Sequence, residues 1–353
     1  MKIHIHKCIF SPLYKYNLCV NISISMEQNI IYDDKKGINL ICNHMSKDKY
    51  FIGRMGGVEF DAYVDYKING FNVDSIYIKN LFRYCGYYDK ELSENIFKKF
   101  VISYENYYAS CDVLLIANVL LLSYYGFLKK GNPYYRDQHI NNKNVNEIIK
   151  SDRLKIKEKQ KISYGVFESF NFFNDYYSKL NGKKILIISP FENEIRNQLK
   201  NKDKLFTGKN EIRDFSNFKY PEFQKVEFIN TYLTTNNYQT PHNNIIETFE
   251  YYKKQLEIKD FEIALLICGA YAYLFGDYIH NVLNKSCIHV GGIGQLFFGI
   301  KGGRYMVNYF EKLMNDKWIY PYTIIEKNAP GVPNSDGLLG YFRRKDGDGD
   351  KKH

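Results

Sequence analysis

The chain has 353 residues, 45% hydrophobic and 17% aromatic, with a formal net charge of +10. That is enough chain for one large α/β domain or about two domains, and too apolar for disorder over most of its length. The 33 tyrosines accompany abundant Lys, Asn and Ile, as in an AT-rich coding sequence, so the positive charge reads as lysine bias on solvated faces; it suits a phosphate or nucleotide ligand, and with no concentrated basic stripe or nucleic-acid motif no nucleic acid is expected.

Seven cysteines, Cys8, Cys19, Cys42, Cys85, Cys111, Cys268 and Cys287, are scattered and never form a CxxC pair. They write neither a disulfide framework nor a zinc site, and they fit a reducing compartment. Cys268 and Cys287 lie in apolar runs and read as buried thiols. The start, MKIHIHKCIFSPLYKYNLCV, is basic but interrupted by Lys15 and Asn17, so no signal peptide is read and a cytoplasmic location is expected. The uncharged runs from Val113 to Leu128 and from Ile263 to Gly276 fall short of the roughly 18 to 20 apolar residues of a membrane span.

In chain order, residues 1–46 are poorly legible, with weak alternation at Ile3, Ile5, Ile22 and Ile24 and an expected strand at Gly37 to Cys42. Next comes YFIGRMGGVEFDAYVDYK, Tyr50 to Lys67. An apolar run, Tyr50 to Ile52, meets Gly53, Arg54 and the pair Gly56-Gly57, and Glu59 opens a helix through Tyr66. At such a strand, glycine turn and helix start, the unpaired first-turn N–H groups can hold an anion, with Arg54 beside them. Glu59 repels a phosphate unless a cation lies between them or the carboxylate addresses a sugar hydroxyl. The bland alternative is a tight turn with Glu59 favoured by the helix dipole.

Amphipathic helices are expected over Ile76 to Tyr88 and Glu91 to Tyr107, then a buried strand in Cys111 to Asn118. Lys129 to Lys161 is charged and Asn-rich, with a turn at Gly131-Asn132-Pro133, and reads as a loop or insertion that holds the only candidate domain boundary. A helix over Ser163 to Leu180 closes at Asn181-Gly182. A strand from Lys183 stops at Ser189-Pro190, and a shorter strand covers Lys225 to Ile229. Thr240 to Asn244 caps a helix over Ile245 to Leu256, and Phe261 to Cys268 is the clearest buried strand. Gly269-Ala270-Tyr271 turns it into a helix ending near Leu283, followed by a strand at Ser286 to Val290 that Gly291-Gly292 breaks. A last helix is expected from Gly302-Gly303-Arg304 to Met314, and residues 331–353 read as a disordered charged tail.

Alternating strands and helices without a repeat imply an α/β, Rossmann-like fold: a mostly parallel sheet with helices on both faces, in one domain over residues 47–330 with a polar insertion near 129–161. Ligands of such sheets bind outside the carboxyl ends of the strands. Gly53 to Glu59, Asn118, Ser189 to Glu192, Gly269 to Tyr271 and Gly291-Gly292 all follow expected strands. Any βα connection also needs turn residues, so structural turns remain the alternative.

Four segments carry a resemblance: IGRMGGVEF (Ile52 to Phe60), ISPFENEI (Ile188 to Ile195), ALLICGAYAYLFGDYI (Ala264 to Ile279) and IHVGGIGQLFFGIKGGR (Ile288 to Arg304). Together they resemble the GT-D type glycosyltransferases of polysaccharide and glycoprotein assembly, over about Tyr50 to Trp318. The resemblance implies a GT-D-like fold and transfer of a sugar from a nucleoside-diphosphate sugar to a glycan or glycosylated acceptor. It also implies a DxE-type acidic motif near a divalent cation, Mn or Mg. Glu59 matches its Glu, but Gly57 stands at the aspartate position, leaving a thin shell for a cation.

In such a transfer Arg54, Arg304 and helix N-termini stabilise the leaving diphosphate. Glu59 or Glu192 serves as base. Gly56, Gly57 and Ser189 approach the donor, while Gly269, Tyr271, Gly291, Gly292 and Gln295 line a slot for base and ribose. The bland readings stand beside these: Glu192 as a helix-start decoration, Arg304 as a solvated cap, Gln295 as a backbone partner, and His242 and His289 as structural. A silent nucleotide or sugar-phosphate binding module is the alternative function, encouraged by the acid missing at Gly57.

Overall fold

The computed structural model describes residues 30–31, 34–116, 159–163, 173–208, 215–234, 240–301 and 312–321. Within them, strands β1 (Ile30–Ile31), β2 (Phe51–Met55), β3 (Val113–Ile116), β4 (Gln160–Ser163), β5 (Lys184–Ser189), β6 (Lys225–Asn230), β7 (Ile263–Leu266) and β8 (Ser286–His289) form one sheet in the order β1-β4-β3-β2-β8-β7-β5-β6. Every pairing is parallel. A parallel sheet is covered on both faces, which is why its inner strands read as unbroken apolar runs: Val113 to Ile116 and Ile263 to Leu266 are buried throughout.

Strand side chains alternate between two layers. Phe51, Leu114, Leu186, Leu266 and Cys287 face one core, together with α2 (Gly57–Asn69), α3 (Ile76–Cys85), α4 (Glu94–Ser110), α7 (Ile245–Glu257) and α8 (Tyr271–Asp277). Ile52, Leu115, Ile187, Leu265 and Ile288 face the other, with α1 (Asp34–Met45), α5 (Phe173–Tyr177), α6 (Glu192–Leu199) and α9 (Ile293–Phe297). The first core is aromatic: Tyr104 and Tyr107 of α4 each lie 4.7–4.8 Å from the Tyr273 ring. Among the described residues no helix is long and apolar enough to cross a membrane. Cys268 and Cys287 are buried free thiols.

The expected strands near 183, 225, 261 and 286 are β5 to β8, and the caps hold. Asn244 accepts the Glu247 N–H at 2.9 Å, and Gly182 takes φ 72° behind the turn of 3₁₀ helix Ser178–Leu180.

Four expectations are corrected. Gly37 to Cys42 is helical, inside α1, because Ile38, Ile41 and Met45 bury one stripe at helical spacing. Gly53 lies within β2, not in the turn, with Cys111 and Tyr107 packed against it. Gln160 to Ser163, expected as loop and helix start, is β4, an interior strand between β1 and β3. Its QKIS sequence hides this because Lys161, 2% exposed, breaks the apolar run. The helix expected over Ser163 to Leu180 is, in its described part, only α5 and the 3₁₀ turn. The readings at Asn118, Gly131 to Pro133, Gly302 to Arg304 and the tail fall outside the described residues.

After β2 the chain leaves along the α2 layer, and after its neighbour β8 along the opposite α9 layer. The outgoing helices diverge in the same way at β8 and β7, at β7 and β5, and at β5 and β6. Such divergence leaves a gap at the carboxyl ends of the strands, where ligands of these sheets bind, and the gap between β2 and β8 is the one that holds Arg54 and Gly291.

Candidate functional site

At that gap β2 ends in Arg54-Met55-Gly56. Arg54 sits two residues beyond Ile52, so alternation places it on the α9 side. There its guanidinium lies against Gly291, the second residue past β8: a Cβ on Gly291 would come within 3.2 Å of both Cδ and Nη1 of Arg54. Gly291 also holds φ 63°, a left-handed conformation that glycine adopts without strain. Two independent constraints therefore fix glycine where the arginine crosses the β8 turn.

The helix side is built from α2. Its N-cap is Gly56, which has no side chain, so the first-turn N–H groups carry no side-chain cap. Glu59, the third helical residue, is 7% exposed, and its carboxylate folds back over Gly56, where a Cβ would collide with Oε2. That is the posture of the acid in a capping box. The Gly56 N–H is instead taken by the Tyr273 hydroxyl at 3.2 Å. The mouth of the gap thus combines a guanidinium, a helix start and one buried carboxylate.

Beneath lies a network that sequence reading missed. The Tyr107 hydroxyl accepts the Arg54 backbone N–H at 2.7 Å and contacts His289 Nδ1 at 2.7 Å. The hydroxyl also reaches the Arg54 carbonyl at 3.4 Å as a donor, so which partner receives its proton is set by the imidazole tautomer. Burial, and then the nearby Arg54 charge, hold His289 well below the usual histidine range, so the ring is neutral. Burial likewise raises the Tyr104, Tyr107 and Tyr273 hydroxyls well above the usual phenol range, with the Glu59 charge adding at Tyr104 and Tyr273. These tyrosines are neutral props that hold β2, α2 and β8 in register. Their i, i+3, i+4 spacing at Tyr104, Tyr107 and Tyr108 was visible, but 33 tyrosines drown that signal.

Arg54 and Gly291 meet at the gap, with Gly56, Gly57 and Glu59 at the start of α2 just past β2, Gly292 next to Gly291, and the half-buried Gln295 inside α9. Glu192 is elsewhere. It opens α6 after β5, three strand spacings or about 14 Å along the sheet from β2, and pairs with Arg196 at 2.7 Å. Ser189 is 1% exposed and its Oγ accepts the Phe191 N–H at 3.2 Å, a turn role. Tyr271 is 1% exposed and packs edge-on against Tyr252. Gly269, at φ 56°, faces the Cys85 carbonyl, which takes the Ala270 N–H at 2.7 Å and leaves no room for a side chain. These three serve packing and turns rather than an open slot. His242 is structural, its Nδ1 3.0 Å from the Thr248 hydroxyl. Arg304 lies outside the described residues.

Among the described residues no group of three or more His, Cys, Asp and Glu side chains is placed to hold a metal ion. Among the described residues Glu59, beside Gly57, is the acidic donor that the α2 start offers; this donor set does not by itself fit Mn or Mg. No family model, curated protein or solved structure matches this chain.

Proposed function

We propose that this chain is a glycosyltransferase that moves a sugar from a nucleoside-diphosphate sugar to a glycan or glycosylated acceptor, with the donor diphosphate in the gap between β2 and β8. The observation that carries the reading is that Arg54 lies against the Gly291 backbone at the end of β2, with the uncapped start of α2 and the buried carboxylate of Glu59 following within five residues. In the transfer an acceptor oxygen attacks the anomeric carbon, the bond from that carbon to the diphosphate oxygen breaks, and the electron pair leaves with the diphosphate. Arg54 and the α2 amides stabilise that growing charge because they are already oriented toward it. The acceptor's proton goes to Glu59. Each step is assigned to the chain's own groups, and none is routed through a cation.

A donor panel tests this. Release of nucleoside diphosphate on adding acceptor is expected, with Glu59→Gln abolishing turnover and leaving the unfolding curve in place. Normal turnover in that variant would remove Glu59 from the mechanism. The second reading, a silent binding module, is favoured by the fold of the Glu59 carboxylate back over the Gly56 backbone, inside the turn. Calorimetry showing donor binding with no release across all acceptors would select it.

A further inference from the structure

A second recess lies at the far end of the sheet, between α6, strand β6 and α7, with a volume of about 440 Å³. That is within the roughly 300–1,000 Å³ of small-molecule sites. We propose that this cleft binds a neutral oligosaccharide; its further assignment as the acceptor site rests on the glycosyltransferase reading.

Charge balance selects the ligand class. Arg196, one cation in the lining, has its Nε 2.7 Å from Glu192 and its guanidinium stacked 4.0 Å over the Phe228 ring. The other, Lys259, pairs with Glu227 at 3.2 Å, a carboxylate that Lys225 shares at 2.9 Å while also reaching Asp260 at 3.4 Å. Each cation of the lining is thus engaged by a carboxylate, which weakens its pull on a phosphate or a polyanion. The remaining polar groups are the amides of Asn230 and Gln255 and the tyrosines Tyr232 and Tyr251. Side-chain amides donate and accept, and carboxylates accept, so together they match the paired donors and acceptors that vicinal hydroxyls present.

An aromatic wall completes the site. Tyr251 is 45% exposed although it belongs to a continuous set of rings: 5.4 Å from Tyr252 and 5.3 Å from His242, with Tyr232 at 5.8 Å and 6.0 Å from the same two. The wall is pinned from behind, because the Tyr252 hydroxyl takes the Tyr232 backbone N–H at 2.6 Å. Exposed rings beside amides suit a sugar, whose C–H face stacks on an aromatic while its edge hydroxyls find polar partners. The cleft opens at the carboxyl end of β6, where Asn230 stands, four strand spacings or about 19 Å from β2. A single sugar does not span that distance along the sheet edge; a chain of several does.

The test is calorimetric titration of the full chain with maltohexaose, cellohexaose, chitohexaose and mannohexaose, and with a heparin hexasaccharide as the anionic control. At least one neutral hexaose is expected to bind, with Tyr251→Ala and Gln255→Ala each weakening it by about tenfold. Both positions are on the surface of α7, so the fold should survive, and an unchanged melting curve checks this. Glu59→Gln should bind the hexaose as the wild type does. Failure of all four neutral hexaoses at roughly 10 mM, stronger binding of the heparin fragment, or binding indifferent to both substitutions would each overturn the proposal. Nucleoside-diphosphate binding, titrated separately, distinguishes the two sites: hexaose binding without any nucleotide binding supports the cleft and sinks the donor reading and the acceptor role together.

Discussion

Replacing Tyr107 with Phe removes one hydroxyl and keeps the ring, whose edge contacts with Phe51 and Tyr273 at 4.8 Å do not involve the oxygen. Tyr107 and His289 are 0% and 1% exposed, and the hydroxyl serves both the Arg54 N–H and the imidazole Nδ1. Tyr107→Phe therefore strands two buried polar groups, each at a cost of about 1–3 kcal/mol, for a total of about 2–6 kcal/mol. Urea unfolding should show a lower midpoint with an unchanged slope, since the surface exposed on unfolding is the same. Combining it with His289→Phe should recover part of the loss, because the second change removes one of the stranded groups, with a coupling of about 1–3 kcal/mol. A loss under about 0.5 kcal/mol, or strict additivity with His289→Phe, would refute the hydroxyl as the clamp between β2 and β8.

Three further outcomes follow from the same geometry. Gly291→Ala places a Cβ 3.2 Å from the Arg54 guanidinium at φ 63°, so nucleotide affinity should fall by about tenfold or more while about 1–2 kcal/mol of stability is lost; unchanged affinity in titration would separate Arg54 from the ligand. Gly269→Ala drives a Cβ into the Cys85 carbonyl and should cost about 3 kcal/mol or more in thermal or urea unfolding, and an undisturbed melting curve would contradict that packing. His289 is held below its unfolded value near 6.5, so as pH falls through 6.5 the unfolded chain takes a proton that the folded chain refuses. Its contribution to stability is present above that pH and lost as pH falls below it. His289→Gln should flatten the wild-type profile over that window, and parallel profiles would count against a neutral buried ring.

Much of the architecture is written locally. The runs at Ile185 to Ser189, Ile263 to Leu266 and Ser286 to His289 are buried on both faces, and a strand in that position has no solvent-facing side to blur its signal. The cap at Asn244 and the stop at Gly182 are short-range chemistry, legible from a few neighbouring residues. The misreadings fall where that chemistry is ambiguous. Gly37 to Cys42 shows a helical stripe only when Met45 is counted with Ile38 and Ile41, and β4 is a strand because β1 and β3 flank it rather than because of its own residues.

The sequence by itself determined that this is an α/β chain with an arginine, a glycine turn and a glutamate at the end of its first long strand, since periodicity and turn chemistry act within a few residues. Only the tertiary structure decided that β8, more than two hundred residues later in the chain, is the neighbour of β2. That pairing sets Gly291 under Arg54 and His289 beside Tyr107, and it leaves Glu192 facing a different cleft. Strand order is chosen by how whole helical layers cover the two faces of the sheet, a balance to which every element contributes and which no single segment encodes.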